Sequence, residues 1–228
     1  MSSKHQFVVT IDGAAGTGKT SVAQELARRL GTDCLDTGAM YRAVAVLAVD
    51  YGIDPNDGAI LARAVQEKRI CFDWNQSPPA IKLGNENISK RIRDLDVSGV
   101  VSIVAKQPEV REVLVEQQRR IGREHPLLVT EGRDQGSVVF PNAPVRFFLE
   151  AKMDERTKRR VKQLRESGKT VGDAQVHQDI STRDKIDSTR TDGPLTCPTG
   201  AIIIDTSDKT MVEVVDLMEE SVRSVLPI

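Results

Sequence analysis

Short apolar runs alternate with helical patterns at the start of the chain. Residues 7–11 form an apolar, β-rich run, and in residues 20–30 the apolar positions recur at the spacing of a helix. Residues 35–36 end a second short strand, and residues 40–48 repeat the helical pattern before Gly52. This alternation predicts a strand, a glycine-rich turn, a helix and a second strand, as in a β-α-β fold.

The pattern changes between about residues 54 and 93. A helical stretch near residues 60–65 is followed by two short β-rich runs, at residues 69–74 and 80–83, which a Pro-Pro break separates. Two short strands joined by turn residues predict a small antiparallel insert in the middle of the fold.

The second half predicts the rest of a sheet. Helical patterns at residues 97–105 and 110–121 precede apolar runs at residues 126–130, 145–149 and 201–205. Runs that are apolar throughout are typical of parallel strands covered on both faces, so we expect all three strands to be fully buried. The predicted fold class is α/β, with a parallel sheet flanked by helices on both faces and a ligand crevice at the carboxyl ends of the strands.

Composition narrows the class of protein. The 228 residues, of which 39% are hydrophobic, suffice for one sizeable core with small appendages. Lysine and arginine number 32 against 33 acidic residues, which argues against a whole surface built to bind nucleic acid or membranes. Three scattered cysteines suggest neither disulfides nor zinc, and the first apolar run is too short for an export signal or a membrane span. We therefore expect a cytoplasmic protein.

A phosphate-binding motif follows the first strand. Residues 13–20 read GAAGTGKT, which fits G-x-x-x-x-G-K-[S/T] between a strand and a helix. The glycines let backbone N–H groups and the helix N-terminus face phosphate oxygens. Lys19 is placed to reach the β- and γ-phosphates, and Thr20 to bind Mg²⁺. A guanine-binding N-K-x-D segment is missing from the sequence, which argues against a GTPase switch. The predicted phosphate loop consists of Gly13, Ala14, Ala15, Gly16, Thr17, Gly18, Lys19 and Thr20.

Two more polar segments follow predicted strands at the same sheet edge. Thr37 and Arg42 offer a hydroxyl, a helix N-terminus and a cation to a second phosphate; alternatively, Thr37 is an N-cap and Arg42 a surface charge. After the strand at 127–130, Glu131 is placed to hold Mg²⁺ through water and Arg133 to contact phosphoryl oxygens. The alternative there is a structural ion pair that caps the strand, because charges next to a buried strand need a partner.

Charged residues are also concentrated in the last third of the chain. Arg183, Asp187 and Arg190 are spaced to share one helix face. The segment 156–165 is basic, with no acid and no aromatic residue. Taken alone, both segments are typical of solvated helix surfaces.

Together, these motifs resemble the bacterial-type cytidylate (CMP/dCMP) kinases, a branch of the P-loop nucleoside monophosphate kinases. The insert near residues 63–93 also resembles the extended monophosphate-binding region of that family. The matching segments occur in the family's order, at residues 12–20, 35–43, 110–112, 131–141 and 183–190.

The resemblance implies transfer of the γ-phosphoryl group of ATP to CMP or dCMP, with Mg²⁺, in pyrimidine nucleotide metabolism. The residues implied to hold the acceptor's phosphate are Thr37, Arg42 and Arg133. Those implied to read the cytosine edge are Ser102, Arg111 and Asp134. Those implied to face the pentose are Arg183 and Asp187, with Arg190 facing the phosphates. Those implied to contact ATP from a short lid are Arg156, Arg159 and Arg160.

The implied reaction needs positioning and cations more than proton transfer, because the transition state of phosphoryl transfer is loose. We therefore assign no general base. The side chains expected to act on the transferred group are Lys19, Arg133, Arg183 and Arg190.

The family resemblance also implies a division of the chain, and we expect a monomer. The expected parts are a P-loop core (residues 1–36, 100–155 and 191–228), a monophosphate-binding region (37–99), and a lid with its following helix (156–190).

Two other functions stay open from the sequence. One is a kinase of the same fold with another acceptor, such as UMP, dTMP, AMP or shikimate. Asp134 and Arg111 argue for cytosine, because uracil would leave the carboxylate unpaired. The other is a nucleic-acid or ATP-binding module that uses the basic segment 156–165, which predicts salt-dependent polyanion binding without acceptor-dependent turnover.

Overall fold

The computed structural model of the chain describes residues 7–226, and its strands form two sheets. The main sheet is parallel throughout, with the order β2-β6-β1-β7-β8, and a separate antiparallel sheet has the order β3-β4-β5. Both the parallel sheet and the small antiparallel insert are confirmed. The strands are β1 Phe7–Gly13, β2 Asp33–Asp36, β3 Ile70–Asp73, β4 Ala80–Leu83, β5 Glu86–Asn87, β6 Leu127–Gly132, β7 Val145–Glu150 and β8 Ile202–Asp205.

Eight α-helices connect the strands in the described part of the chain. The first begins directly after Gly18 and ends at Gly31, and both of these glycines adopt a left-handed conformation that other residues enter at a cost. None of the helices in residues 7–226 is both long and apolar enough to cross a membrane. The helices are α1 Lys19–Leu30, α2 Thr37–Asp50, α3 Gly58–Lys68, α4 Leu95–Val104, α5 Pro108–Glu124, α6 Met153–Glu166, α7 Asp173–Thr189 and α8 Met211–Arg223.

Apolar side chains form a core on each face of the main sheet. On one face, Phe147 of β7 packs with Leu26 of α1 and Met218 of α8, and all three are fully buried. On the other face, Leu128 of β6 belongs to a second core that includes Leu114 of α5. Burying one such side chain stabilises the fold by about 1.5–3 kcal/mol. Both faces are therefore covered, as expected for a parallel sheet of this kind.

Helices α6 and α7 form a hairpin with a small core of its own. Val161, Leu164, Val176 and Ile180 make up this core. Near the hairpin turn, Lys169 Nζ donates a hydrogen bond to the carbonyl oxygen of Arg93 at 3.0 Å. The hairpin therefore contacts the middle of the chain on one side.

The last strand differs from the prediction. Ile202 and Ile203 are 43% and 57% exposed, so the expectation that this strand is fully buried is wrong. The reason is topological, because β8 lies at the edge of the sheet and, within residues 7–226, pairs only with β7. Of its three isoleucines, Ile204 is the one that joins the core under α8.

Candidate active site

The carboxyl ends of β1, β2 and β6 bring three motifs together. The parallel register places Asp36 opposite Glu131, and Asp12 opposite Gly132. The phosphate loop, the start of α2 and the segment after β6 therefore meet at one sheet edge. This confirms the prediction that the three polar segments share that edge.

Close backbone approach explains two of the loop glycines. Gly13 has a φ of 152°, and a Cβ atom there would lie 2.3 Å from the carbonyl oxygen of Leu149. Gly16 has a φ of 79°, and a Cβ atom there would lie 3.0 Å from Cβ of Arg156. At both positions a residue with a side chain would have a strained backbone conformation, and its Cβ atom would be too close to neighbouring atoms. The loop consequently lies directly against β7 and the start of α6.

Lys19 points back into this loop. Its Nζ donates hydrogen bonds to the carbonyl oxygen of Ala14 at 2.6 Å and to Thr17 Oγ1 at 3.3 Å. Burial, and then the positive charge of Arg133, lower the pKa of Lys19 to about 7. A desolvated ammonium group inside a ring of backbone amides is a binding site for phosphate.

Thr20 and Glu131 form the oxygen pair that the sequence predicts for Mg²⁺. Thr20 Oγ1 donates to Glu131 Oε1 at 2.7 Å. Burial, and then the charge of Asp36, raise the pKa of Glu131 to about 7. Among residues 7–226, no group of three or more His, Cys, Asp or Glu side chains is arranged to hold a metal. A hydroxyl and one carboxylate suit Mg²⁺, which usually keeps water and substrate oxygens as its other ligands.

An arginine cluster lies beside the phosphate loop and consists of Arg42, Arg133, Arg160 and Arg183. Partial burial, and then the charge of Arg133, lower the pKa of Arg183 to about 9, with smaller effects from Arg42 and Arg160. Burial, and then the charge of Arg160, lower the pKa of Arg42 to about 10. Arg183 Nε is buried without a hydrogen-bond partner. Cations held this close together are stabilised by an anion, so the arginine cluster is suited to a phosphate.

Asp187 is the main carboxylate facing this cluster. Its Oδ2 accepts a hydrogen bond from Arg133 Nε at 2.8 Å and lies 3.9 Å from Arg183 Nε. Arg190 Nη1 lies 3.9 Å from the other oxygen of Asp187. Helix α7 continues through Arg183 and Asp187, so these two share the predicted face, but the helix ends at Thr189 and Arg190 follows it in an extended conformation, so the expectation that Arg190 lies on the same helix face is wrong. The alternative of a fully solvated salt-bridge face is wrong for these residues, because Asp187 is buried.

Arg111 and Asp134 form an ion pair beyond the arginine cluster. Only 5% and 4% of their side chains are exposed. Arg111 Nη1 also donates to the hydroxyl of Tyr41 at 3.1 Å, and Arg190 Nη2 lies 3.9 Å from Asp134 Oδ2. A buried carboxylate beside a guanidinium offers both an acceptor and donors to the edge of a planar heterocycle.

Comparison with known proteins identifies the family. The cytidylate kinase family model matches residues 9–224 of this chain. The chain belongs to the cytidylate kinase family. It is 41% identical to the cytidylate kinase of Caldanaerobacter subterraneus subsp. tengcongensis, over 94% of each chain. It is 43% identical to the cytidylate kinase of Mycolicibacterium paratuberculosis, over 95% of each chain.

A solved structure supports the fold. The shikimate kinase of Bacteroides thetaiotaomicron has a TM-score of 0.51 at 12% identity, and the match covers 95% of this chain and 98% of that one. At this identity the likeness concerns the fold alone. The protein is a P-loop kinase of the cytidylate kinase family.

Two alternatives for the α2 segment are wrong: Thr37 is not the N-cap of α2, and Arg42 is not a free surface charge. Asp36, not Thr37, caps α2, since its Oδ1 accepts from the backbone N–H of Ala39 at 2.9 Å. Thr37 is the first helical residue, and its hydroxyl donates to the carbonyl oxygen of Glu131 at 2.8 Å. Arg42 is not a free surface charge, since its Nη1 donates to Ser98 Oγ at 2.9 Å.

The basic segment divides into two kinds of residue. Lys158 and Lys162 have side chains that are 70% and 77% exposed, as expected of a solvated helix face. Arg156, by contrast, is buried and donates to the carbonyl oxygen of Ala15 at 3.2 Å. Arg159 Nη1 donates to Thr206 Oγ1 at 2.9 Å, and Arg160 belongs to the arginine cluster. Arg156, Arg159 and Arg160 therefore face the protein, whereas the two lysines and Arg165, which is 58% exposed, face solvent.

The predicted role of Ser102 in reading the base stays a prediction. Ser102 is half-buried on α4, and within the described residues no side-chain hydrogen bond joins it to Arg111 or Asp134. The nearby Ser98, on the same helix, contacts Arg42 instead.

The sequence pattern assigned no role to Asp12, whose buried side chain joins the end of β1 to the segment after β6. The fully buried carboxylate accepts hydrogen bonds from the backbone N–H groups of Gln135 and Gly136 at 2.8 and 2.7 Å. Burial raises its pKa to about 6. Asp12 thereby fixes the segment that carries Arg133 and Asp134. An acid at the end of an apolar strand is the sequence feature that indicates such a role.

Proposed function

We propose that this protein transfers the γ-phosphoryl group of ATP to CMP or dCMP, giving ADP and CDP or dCDP. The observation that carries the proposal is a chain of contacts that links three binding features. Arg133, whose charge lowers the pKa of Lys19 in the phosphate loop, donates to Asp187. Arg190 lies 3.9 Å from both Asp187 and Asp134, and Asp134 pairs with Arg111. A donor phosphate, an acceptor phosphate and an acceptor base need these features in this order.

The donor's phosphates would bind the loop around Lys19. This lysine already lies inside the loop, so it needs only to exchange its bond to the Ala14 carbonyl for a phosphate oxygen. Thr20 and Glu131 would hold Mg²⁺ at the loop's edge. Bound there, Mg²⁺ would neutralise negative charge on the transferred group.

The acceptor's phosphate would bind the arginine cluster. Of the cluster, Arg133 acts most strongly on the donor side, because its charge lowers the pKa of Lys19 more than that of Arg183 does. Arg42 and Arg183 face it from α2 and α7. The guanidinium groups would hold two anionic oxygens close together and stabilise charge on the equatorial oxygens. No general base is needed, because the attacking oxygen belongs to a phosphate that is already ionised.

The acceptor's base would bind at Asp134 and Arg111. The amino group of cytosine donates to a carboxylate, while its N3 and O2 atoms accept from a guanidinium. Uracil would present a carbonyl oxygen to Asp134, which leaves two acceptors facing each other in a buried site. Arg190, which lies 3.9 Å from both Asp134 and Asp187, would link the base side of the crevice to the phosphate side.

The test is acceptor-dependent release of ADP. The purified protein would be assayed with Mg·ATP and each of CMP, dCMP, UMP, dTMP, AMP and shikimate, and without an acceptor. We expect turnover to be fastest with CMP or dCMP, and ADP release without an acceptor to be at least ten-fold slower. Lys19→Ala, purified in the same way, controls for contaminating kinases. Faster turnover with another acceptor would refute the base assignment, and binding of ATP without turnover would refute the transfer.

A further inference from the structure

Asp184 contacts the phosphate loop, although nothing in the proposed reaction uses it. The backbone N–H of Ala15 donates a hydrogen bond to Asp184 Oδ1 at 3.3 Å. The other carboxylate oxygen of Asp184 forms an ion pair with Arg156. Arg156 Nη1 in turn donates to the carbonyl oxygen of Ala15 at 3.2 Å. Ala15 of the loop, Arg156 of α6 and Asp184 of α7 thus each contact the other two.

This contact places an anion on a loop amide. Backbone N–H groups of such loops bind phosphate oxygens because they are not engaged within the helix or the sheet. The Ala15 amide is already engaged by a carboxylate, which carries the same sign of charge as a phosphate. Arg156 is 8% exposed, and its Nε is buried without a hydrogen-bond partner. The guanidinium therefore still has a donor to offer next to the loop.

We propose that the Asp184 carboxylate accepts the hydrogen bond of the Ala15 N–H when no donor is bound. When the donor binds, its phosphate takes this hydrogen bond and displaces the carboxylate. The carboxylate and a phosphate oxygen cannot both lie within hydrogen-bond distance of one N–H without strong repulsion. The same displacement separates Asp184 from Arg156 and releases the Nη1 group of Arg156, which can then donate to the phosphate beside the unpartnered Nε. This inference rests on the proposed donor site and adds a positioning residue to it.

The position of Asp184 on α7 links this exchange to the acceptor. Arg183 precedes it directly and belongs to the arginine cluster, and Asp187 follows within one helical turn and accepts from Arg133. A helix moves as a unit, so displacement of Asp184 also shifts these two residues. Donor binding would therefore change the affinity of the acceptor site, and the acceptor would change donor affinity by the same factor.

The test measures donor binding without catalysis. Asp184→Asn keeps the size of the side chain and removes its charge. Inorganic tripolyphosphate and a non-hydrolysable ATP analogue, each with Mg²⁺, would be titrated calorimetrically into the full-length protein without an acceptor. We expect Asp184→Asn to bind both probes about 10-fold more tightly than wild type, because the repulsion has been removed. Structural damage to the site would weaken binding, so a gain in affinity distinguishes the proposal from a merely structural role.

Matched variants make the result decisive. Asp173→Asn, on the same helix, removes a carboxylate that pairs with Arg165 on the surface, and it should bind the probes like wild type. If Asp184→Asn does not fold, Asp184→Ser takes its place in the titrations, and we expect the same gain in probe affinity. Unchanged or weaker probe binding in the Asp184 variant would overturn the inference. Lack of probe binding by folded wild-type protein would instead overturn the proposed donor site and this inference with it.

A second titration tests the link to the acceptor. The affinity for CMP would be measured with and without the saturating ATP analogue. Wild type should show a difference of several-fold, and Asp184→Asn a smaller one. An equal difference in the two proteins would overturn the role assigned to α7.

Discussion

Replacing Glu131 with Gln should make the ligand-free protein more stable and the enzyme less active. Glu131 is 4% exposed, and its pKa lies near 7 instead of its ordinary value of 4.5. The pKa is raised first by burial, which makes the ionised form costly in the folded state. Glutamine has the same shape and can accept the hydrogen bond from Thr20, but it carries no charge. The variant therefore removes a cost to folding together with a ligand for Mg²⁺.

The pKa gives the size of this effect and its pH dependence. Between pH 4.5 and about 7 the folded protein binds more protons at Glu131 than the unfolded chain does, so this group makes the protein less stable as pH rises through that window. At about 1.4 kcal/mol per pH unit, the ionised carboxylate costs about 3 kcal/mol at pH 7.5 and under about 1 kcal/mol at pH 5. The pKa of about 7 already includes the attraction between Glu131 and Lys19 and the hydrogen bond from Thr20. We therefore expect a net gain of up to about 3 kcal/mol at pH 7.5 and of under about 1 kcal/mol at pH 5.

Urea unfolding at the two pH values, in the absence of nucleotides and Mg²⁺, measures the free energy of unfolding. Asp12 titrates in the same range, but it is present in both proteins, so the comparison with wild type cancels its contribution. Glu124→Gln removes an exposed carboxylate and should change neither stability nor activity. In the coupled assay, kcat of Glu131→Gln should fall on the order of 10²-fold or more. A variant that is destabilised at pH 7.5, or that is equally stabilised at both pH values, would refute the reasoning.

Three further predictions test the site and the core. Lys19→Ala should lower kcat for ADP formation on the order of 10²–10³-fold, because a preorganised cation is lost, and near-full turnover would contradict the mechanism. Asp134→Asn should lower the ratio of kcat/KM for CMP to that for UMP by about 10-fold or more, because the amide can donate to uracil, and an unchanged ratio would remove Asp134 from base recognition. Leu114→Ala, in the core between α5 and the sheet, should lower the free energy of unfolding in urea by about 2–5 kcal/mol, and a loss below about 1 kcal/mol would contradict its full burial.

Some expectations stay predictions. The division of the chain into a core, a region at residues 37–99 and a lid at residues 156–190 is one, and the monomeric state is another. Crystal structures with and without bound nucleotides, together with light scattering in solution, test them.

Local sequence determined the phosphate loop and the strands around it. The glycines, Lys19 and Thr20 follow an apolar strand and open an amphipathic helix, and each of these features depends on residues close in sequence. The parallel sheet was also predictable, because strands that are apolar throughout need a cover on both faces. The same rule failed at β8, where Ile202 and Ile203 are exposed. Apolar composition does not reveal that a strand lies at the edge of a sheet.

Tertiary structure alone decided which charges meet. Asp12 and Gln135, Arg133 and Asp187, and Arg156 and Asp184 lie 28 or more residues apart, and each pair is joined by a hydrogen bond or an ion pair. Sequence patterns identify the charged residues but not their partners, because pairing depends on how helices cross the sheet edge. Burial, which raises or lowers the pKa values in the site, is likewise a property of the packed molecule. The sequence thus determined the chemical groups and the strands that carry them, whereas packing decided the distances and electrostatics through which they act.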